Sequence, residues 1–208
     1  LTMLTVWGRN NSNNVKKVLW CLDEIGLPYE SIPAGGAFGL TGEAAYRAMN
    51  PNGLVPTLKD DDLILWESNA IVRYLAARYA PGELAPADPG ERALADRWMD
   101  WTSSTVAPAM GPLVLGLLRT KPENRDLAAI EAARTRAAAA LAIADQALAK
   151  TPYLSGEKFG MGDIPLGGFV YTWFGLPIER PDLPALAAWY DRLTERPAFR
   201  KAVMIPLS

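Results

Sequence analysis

Apolar residues recur along this chain at two different spacings. Leu4 to Trp7 is a short β-favouring run. Val15, Val18, Leu19, Leu22 and Ile25 then repeat at helical intervals until Gly26 and Pro28 stop the pattern. Tyr29 to Ile32 reads as a second strand, so the opening is a βαβ unit. Gly35, Gly36, Gly39 and Gly42 mark a connection before a short helix through Ala44 to Met49. Val55 to Lys59 and Leu63 to Trp66, separated by Asp60-Asp61-Asp62, read as a hairpin. Ser68 is placed to cap a helix carrying Ile71, Val72, Leu75 and Tyr79. The order is βαβ, then α, then ββα.

After Ala80 the pattern changes. Pro, Gly and Ala dominate up to Pro89, as expected of a linker, and every periodic segment beyond it is helical. Asp88-Pro89-Gly90-Glu91 has the form of a capping box with proline at the first helical position. Leu94, Trp98 and Trp101 continue one face. An alanine-rich helix spans Leu127 to Ala149, with Ile130, Leu141, Ile143 and Leu148 giving it an apolar side. Further helices are expected at Ile164 to Phe174, Leu183 to Leu193 and Pro197 to Met204. This gives an α/β domain over residues 1–80, a linker over 81–90 and an all-α domain over 91–208.

Composition narrows the chemistry. A chain of 208 residues buries roughly 70% of the surface its unfolded form exposes. The 21 basic and 23 acidic residues nearly balance and show no basic cluster, which argues against a nucleic-acid partner. The apolar run Val106 to Leu118 is broken by Pro108 and Pro112 and is too short to cross a bilayer, so no membrane partner is expected. With no secretory pattern and a single cysteine, the expectation is a soluble, cytoplasmic protein. There is no histidine, so the commonest metal ligand and the commonest general base are both missing, and no metal is expected. Chemistry falls to hydroxyls, amides, carboxylates or a borrowed thiol.

The most informative stretch is Asn50-Pro51-Asn52-Gly53-Leu54-Val55-Pro56-Thr57-Leu58, followed by Trp66-Glu67-Ser68-Asn69-Ala70-Ile71. A proline in a β-favouring segment has no N–H for the ladder, so Pro56 marks a special backbone feature. A cis Val55-Pro56 bond turns the Val55 N–H and C=O outward, toward an extended peptide. Glu67-Ser68 then opens a helix whose free N–H groups and positive dipole end suit a carboxylate. A peptide-pairing turn beside an anion-binding helix start resembles the glutathione site of the glutathione transferases.

The resemblance implies a thioredoxin-like N-terminal domain followed by an all-α C-terminal domain, glutathione as cosubstrate and a homodimer. It rests on two more places. Gly8-Arg9-Asn10-Asn11-Ser12-Asn13-Asn14 follows the first strand, where serine-type members carry a hydroxyl that donates to the glutathione sulfur. Some bacterial members use an asparagine two positions later, so the resemblance offers Ser12 as main donor and Asn14 as second candidate. Ser155 to Ile164 is similar to the family's second-domain folding motif, with Gly160 in place of the usual Ser or Thr cap, Asp163 retained, and Phe159 and Ile164 spaced as a staple.

By the same resemblance Asn11, Val55, Pro56, Glu67 and Ser68 bind glutathione, the last two at its γ-glutamyl end. Leu54 departs from the family, which often has Lys or Gln there for the glycyl carboxylate; Lys16, Arg9 or Arg47 are the candidate substitutes. Trp101 and Met110 are the candidates for the hydrophobic cosubstrate pocket. Cys21, mid-helix beside Trp20 and Leu22, reads as a buried, inert thiol. The expected reaction joins a glutathione thiolate to a soft electrophile. The alternatives are a glutathione-dependent disulfide reductase or peroxidase, and a noncatalytic ligand-binding module on the same fold.

Overall fold

The structure, a computed structural model, describes residues 3–208. It divides into two compact units. One ends at Ala87 and takes back Ala198–Ile205; the other holds Asp88–Pro197 and Pro206–Ser208.

The first unit is a four-stranded mixed sheet with helices. β1 (Leu4–Trp7) runs parallel to β2 (Tyr29–Ile32), with α1 (Asn13–Ile25) as the crossover. On its other side β1 pairs antiparallel with β3 (Thr57–Asp60), which pairs antiparallel with β4 (Leu63–Trp66). The order β2-β1-β3-β4 leaves β2 and β4 at the edges. α2 (Ala44–Met49) precedes β3, and α3 (Ser68–Tyr79) follows β4. The register sets Trp7 opposite Thr57 and Thr57 opposite Trp66. One end of the sheet therefore collects the exit of β1, the entry to β3 and the exit of β4.

The strand starting at Val55 in the sequence reading begins instead at Thr57. Pro56 has no N–H to give a central strand, so it remains outside the ladder. The hairpin turn is Asp61-Asp62, with Asp61 in the left-handed region at φ 54°. α1 is more enclosed than its apolar stripe implies, since every residue from Val15 to Leu22 is buried. It lies against α3, and the returning α9 (Pro197–Ala202) brings Phe199 edge-on to Trp20 at 4.8 Å between ring centroids. Gly8 makes the entry possible: a Cβ there would stand 2.4 Å from Val15 Cγ2.

The second unit is helical. Asp88 caps α4 (Pro89–Trp101) by accepting from the Glu91 N–H at 2.9 Å. The chain stays helical through a wide π turn, Thr102–Val106, into α5 (Ala107–Val114), and a second π turn, Leu115–Arg119, follows. The first π turn contains Ser104, whose carbonyl, four residues before Pro108, would meet the proline ring in a regular helix. Met99 and Met110 are fully buried here.

α6 (Leu127–Leu148) buries Ala133, Ala137, Ala140, Leu141, Ala144 and Leu148. Ile143, expected on the apolar side, is 50% exposed. It stands two positions from Leu141, which turns it to another face, so alanines supply most of the contact surface.

α7 (Ile164–Gly175) and α8 (Pro184–Thr194) complete the unit around Asp163. This fully buried carboxylate accepts from the N–H groups of Leu154 at 2.8 Å, Ser155 at 3.3 Å and Gly160 at 3.1 Å, and from Trp189 Nε1 at 2.9 Å. Burial alone pushes its pKa up, while the donors around it favour the charged form. Phe159 and Ile164 are both buried beside the turn. Among the described residues, no helix is long and apolar enough to cross a membrane.

Asp163→Ala strands four buried donors at once. It is expected to lower unfolding stability by about 3 to 5 kcal/mol in urea titrations, whereas a loss below about 1 kcal/mol would show that the carboxylate is dispensable. Cys21 has no exposed surface, and burial followed by the Glu24 charge raises its pKa. A disulfide reagent at mildly alkaline pH should leave native protein unmodified and titrate one thiol per chain only after denaturation; rapid native modification would contradict this placement.

Candidate active site

Three backbone segments meet at the sheet end that carries Trp7, Thr57 and Trp66. The first is the loop from Gly8 to Ser12, which closes with the Gly8 N–H on the Ile32 carbonyl at 2.9 Å and the Ser12 N–H on Arg9 at 3.1 Å. Ser12 is the N-cap of α1, in extended conformation, and its hydroxyl makes no capping bond. The hydroxyl thus lies at the positive end of a helix without being spent on it. Asn11 accepts from Arg9 Nη1 at 3.0 Å.

The second segment is the turn into β3. The Val55-Pro56 bond is cis. Two buried side chains hold this turn from behind, both converging on the Leu54 carbonyl: Tyr46 Oη donates to it at 2.6 Å and Asn50 Nδ2 at 2.9 Å. The same two groups reach Thr57 Oγ1, at 2.8 Å and 3.1 Å. Asn50 Oδ1 in turn receives both the N–H and the side-chain amide of Asn52 at 3.1 Å.

The third segment is the start of α3. Glu67 is its N-cap and sits at φ 71°, a left-handed conformation that a non-glycine residue rarely adopts and that recurs at functional sites. It turns the chain sharply from β4 so that Ser68 becomes the first helical residue. Ser68, expected as the cap, therefore lies one position inside the helix.

Asn14, Asn50, Asn52, Leu54, Val55, Pro56, Trp66, Glu67 and Ser68 line one cleft. Of the residues picked out in the sequence, Asn14, Val55, Pro56, Glu67 and Ser68 are thus brought together; Asn11 and Ser12 belong to the neighbouring loop. Trp101 is half-buried in the second unit, with its ring edge-on to Trp98 at 5.2 Å, and Met110 is fully buried there with no accessible surface.

Among the possible partners for a second carboxylate, Lys16 is committed elsewhere. It is buried and donates to the Val203 carbonyl at 3.1 Å. Arg47 is exposed beside Gly53 and reaches the Pro51 carbonyl at 3.4 Å. Leu54 is 66% exposed and offers no polar atom of its own side chain. Among the described residues, no group of three acidic or thiol side chains is placed to hold a metal ion.

Behind the cleft lies a residue the sequence reading passed over. Lys17 is only 4% exposed, and its ammonium donates to Asn14 Oδ1 at 2.9 Å and to Ser68 Oγ at 3.3 Å. The Ser68 hydroxyl donates to Asn14 Oδ1, also at 3.3 Å. Burial lowers the Lys17 pKa to about 8 against the opposing pull of the Glu67 carboxylate. One signal was available: two lysines close to the positive end of a helix with no acidic residue in its first turn are unfavourable there, so they need another reason. Tyr46 and Asn50, four apart, were readable as one helix face at the turn but not as its support.

The family model for the glutathione S-transferase N-terminal domain matches residues 7–86, and that for the glutathione S-transferase C-terminal domain matches residues 128–192. The chain is 53% identical over 208 residues to glutathione S-transferase GstB of Escherichia coli, covering 99% of this chain and 100% of that one. It is 33% identical over 214 residues to glutathione S-transferase 3 of Zea mays, covering 98% and 95%. Among solved structures, it superposes with a TM-score of 0.97 and 59% identity on the theta class glutathione S-transferase of Xanthomonas axonopodis pv. citri with glutathione bound, each chain covered in full. With both domains matched and identity sustained along the whole length, this chain belongs to the glutathione S-transferase family.

Proposed function

We propose that this protein is a glutathione transferase that ionises bound glutathione and conjugates its thiolate to a soft, hydrophobic electrophile. What carries the reading is the cleft itself: a turn that sets Val55 in its wall, a helix start at Ser68 and, in the neighbouring loop, an uncommitted hydroxyl at Ser12, in a fold whose relative from Xanthomonas axonopodis has glutathione bound.

In this reading the cysteinyl backbone pairs with the N–H and C=O of Val55, as an added strand would. The γ-glutamyl end lies at Ser68, where the hydroxyl and the first free N–H groups of α3 meet its carboxylate, and the Glu67 carboxylate attracts its ammonium. That leaves the sulfur at the start of α1. Ser12 is assigned as its donor because Asn14, tied through its Oδ1 to Lys17 and Ser68, stands with Ser68 at the γ-glutamyl end of the site. The helix end adds a positive potential where the thiolate forms.

A hydrogen bond to a charged sulfur contributes about 1.5 to 3 kcal/mol, which is roughly one to two pKa units at about 1.4 kcal/mol each. That brings a thiol of pKa about 8.5 toward neutrality, so no general base is required. The enzyme then orients two reactants, and the thiolate displaces or adds to the electrophile. Trp101 is only half-buried and is the residue we assign to the hydrophobic cosubstrate; Met110 keeps no accessible surface. A cytoplasmic homodimer engaged in detoxification belongs to the same reading. The apolar side chains Leu63, Ile64 and Trp66 exposed on edge strand β4 offer surface that a second copy would cover.

The test is the ultraviolet absorbance of bound thiolate followed against pH. Ser12→Ala is expected to raise the ionisation midpoint of bound glutathione by about one to two pH units and to lower aryl-halide turnover at neutral pH in proportion. An unchanged midpoint would move the donor role to Asn14. Folded wild-type protein that turns over a glutathione-linked disulfide but no aryl halide would replace conjugation with reduction.

A further inference from the structure

Lys17 is a lysine placed where a lysine is costly. Its ammonium is enclosed, it lies near the positive end of α1, and it has two neutral oxygens as hydrogen-bond partners, Asn14 Oδ1 and Ser68 Oγ. The charged group that acts on it is the Glu67 carboxylate at the start of α3, and Glu67 is exposed. A buried cation so weakly compensated in the free protein is suited to an anion that arrives later.

Geometry says which one. An ammonium only donates, so the Asn14 amide must turn its oxygen inward to Lys17 and carry its Nδ2 donors on the opposite side. Asn14 is exposed and lines the cleft. The Ser68 oxygen likewise faces the ammonium, and its hydrogen is free to rotate from Asn14 Oδ1, where the 3.3 Å contact is long, to an incoming acceptor. Both groups that touch the cleft are therefore set as donors by a charge that does not touch it.

The other basic side chains near the site have different destinations: Lys16 on Val203, Arg9 on Asn11 and Arg47 by Pro51. We propose that Lys17 is a positioning residue that orients Asn14 and Ser68 as donors and supplies, from behind them, the counter-charge for the α-carboxylate of the γ-glutamyl group. The assignment rests on the glutathione reading given above and adds to it the residue that makes the carboxylate end selective for a negative charge.

The experiment compares two ligands that differ only in that charge. S-methylglutathione and its γ-glutamyl α-carboxamide are titrated calorimetrically into wild-type protein, Lys17→Met and Lys17→Arg. The wild type is expected to prefer the acid. Lys17→Met should lose about tenfold or more of its affinity for the acid, the scale of a hydrogen bond to a charged group, with affinity for the amide nearly unchanged. Lys17→Arg should recover part of the preference.

A Lys17→Met protein that binds both ligands more weakly by one common factor would reduce Lys17 to a structural support and overturn the proposal. If Lys17→Met does not fold, the wild type alone decides. Measured with the desamino (glutaryl) forms of the two ligands, which carry no amino group to titrate, its preference for acid over amide should fall as pH rises beyond about 8, where Lys17 discharges. A ratio constant from about pH 7 to about pH 10 would overturn the proposal. Folded wild-type protein binding neither ligand would overturn the glutathione reading itself.

Discussion

A lysine ammonium enclosed beneath two helix starts is the constraint around which this site is organised. Lys17 joins Asn14, one residue inside α1, to Ser68, the first residue of α3, and so ties together segments 51 residues apart in sequence. Desolvation works against the charge, and the pKa falls to about 8 for that reason. Two helix N-termini and a cation then share one small region, each favouring negative charge. A tripeptide with carboxylates and an ionising thiol is the ligand class that such a region fits.

The sheet makes that convergence possible. Because Trp7, Thr57 and Trp66 stand side by side across β1, β3 and β4, the exits to α1 and α3 and the entry at Pro56 cannot be far apart. Supports behind the surface then set each segment. Tyr46 and Asn50 hold the Leu54 carbonyl, the left-handed Glu67 aims α3, and Gly8 lets the loop close over Val15. Lys16, the neighbour of Lys17, points another way and holds the Val203 carbonyl of the segment that returns from α9. Asp163 shows the opposite treatment of a buried charge in the second unit, where several donors surround it and leave it a purely structural role.

Much of the architecture was legible in the residues because it follows from local rules. The βαβ opening, the hairpin at the run Asp60 to Asp62 (whose first aspartate belongs to β3), the Asp88 cap and the helix at Ile164 each have a short-range cause in periodicity, turn chemistry or capping. What escaped was decided by tertiary packing. Ile143 satisfied the apolar pattern but faces outward, since Ala140, Leu141 and Ala144 already fill the contact. Met110 lies in the core although it belongs to the helix run expected to meet a hydrophobic ligand. Lys17 drew no assignment from the sequence, because the destination of a long flexible side chain depends on what encloses its helix. That enclosure came from α3 and from a segment almost two hundred residues downstream, which no local window contains.

The most direct measurement is a crystal structure of the protein with glutathione. The account predicts the sulfur within hydrogen-bond reach of Ser12 Oγ, the cysteinyl backbone paired with Val55 and the γ-glutamyl carboxylate on Ser68. A tripeptide lying in the reverse direction, or a sulfur held by Asn14 with Ser12 turned away, would contradict it.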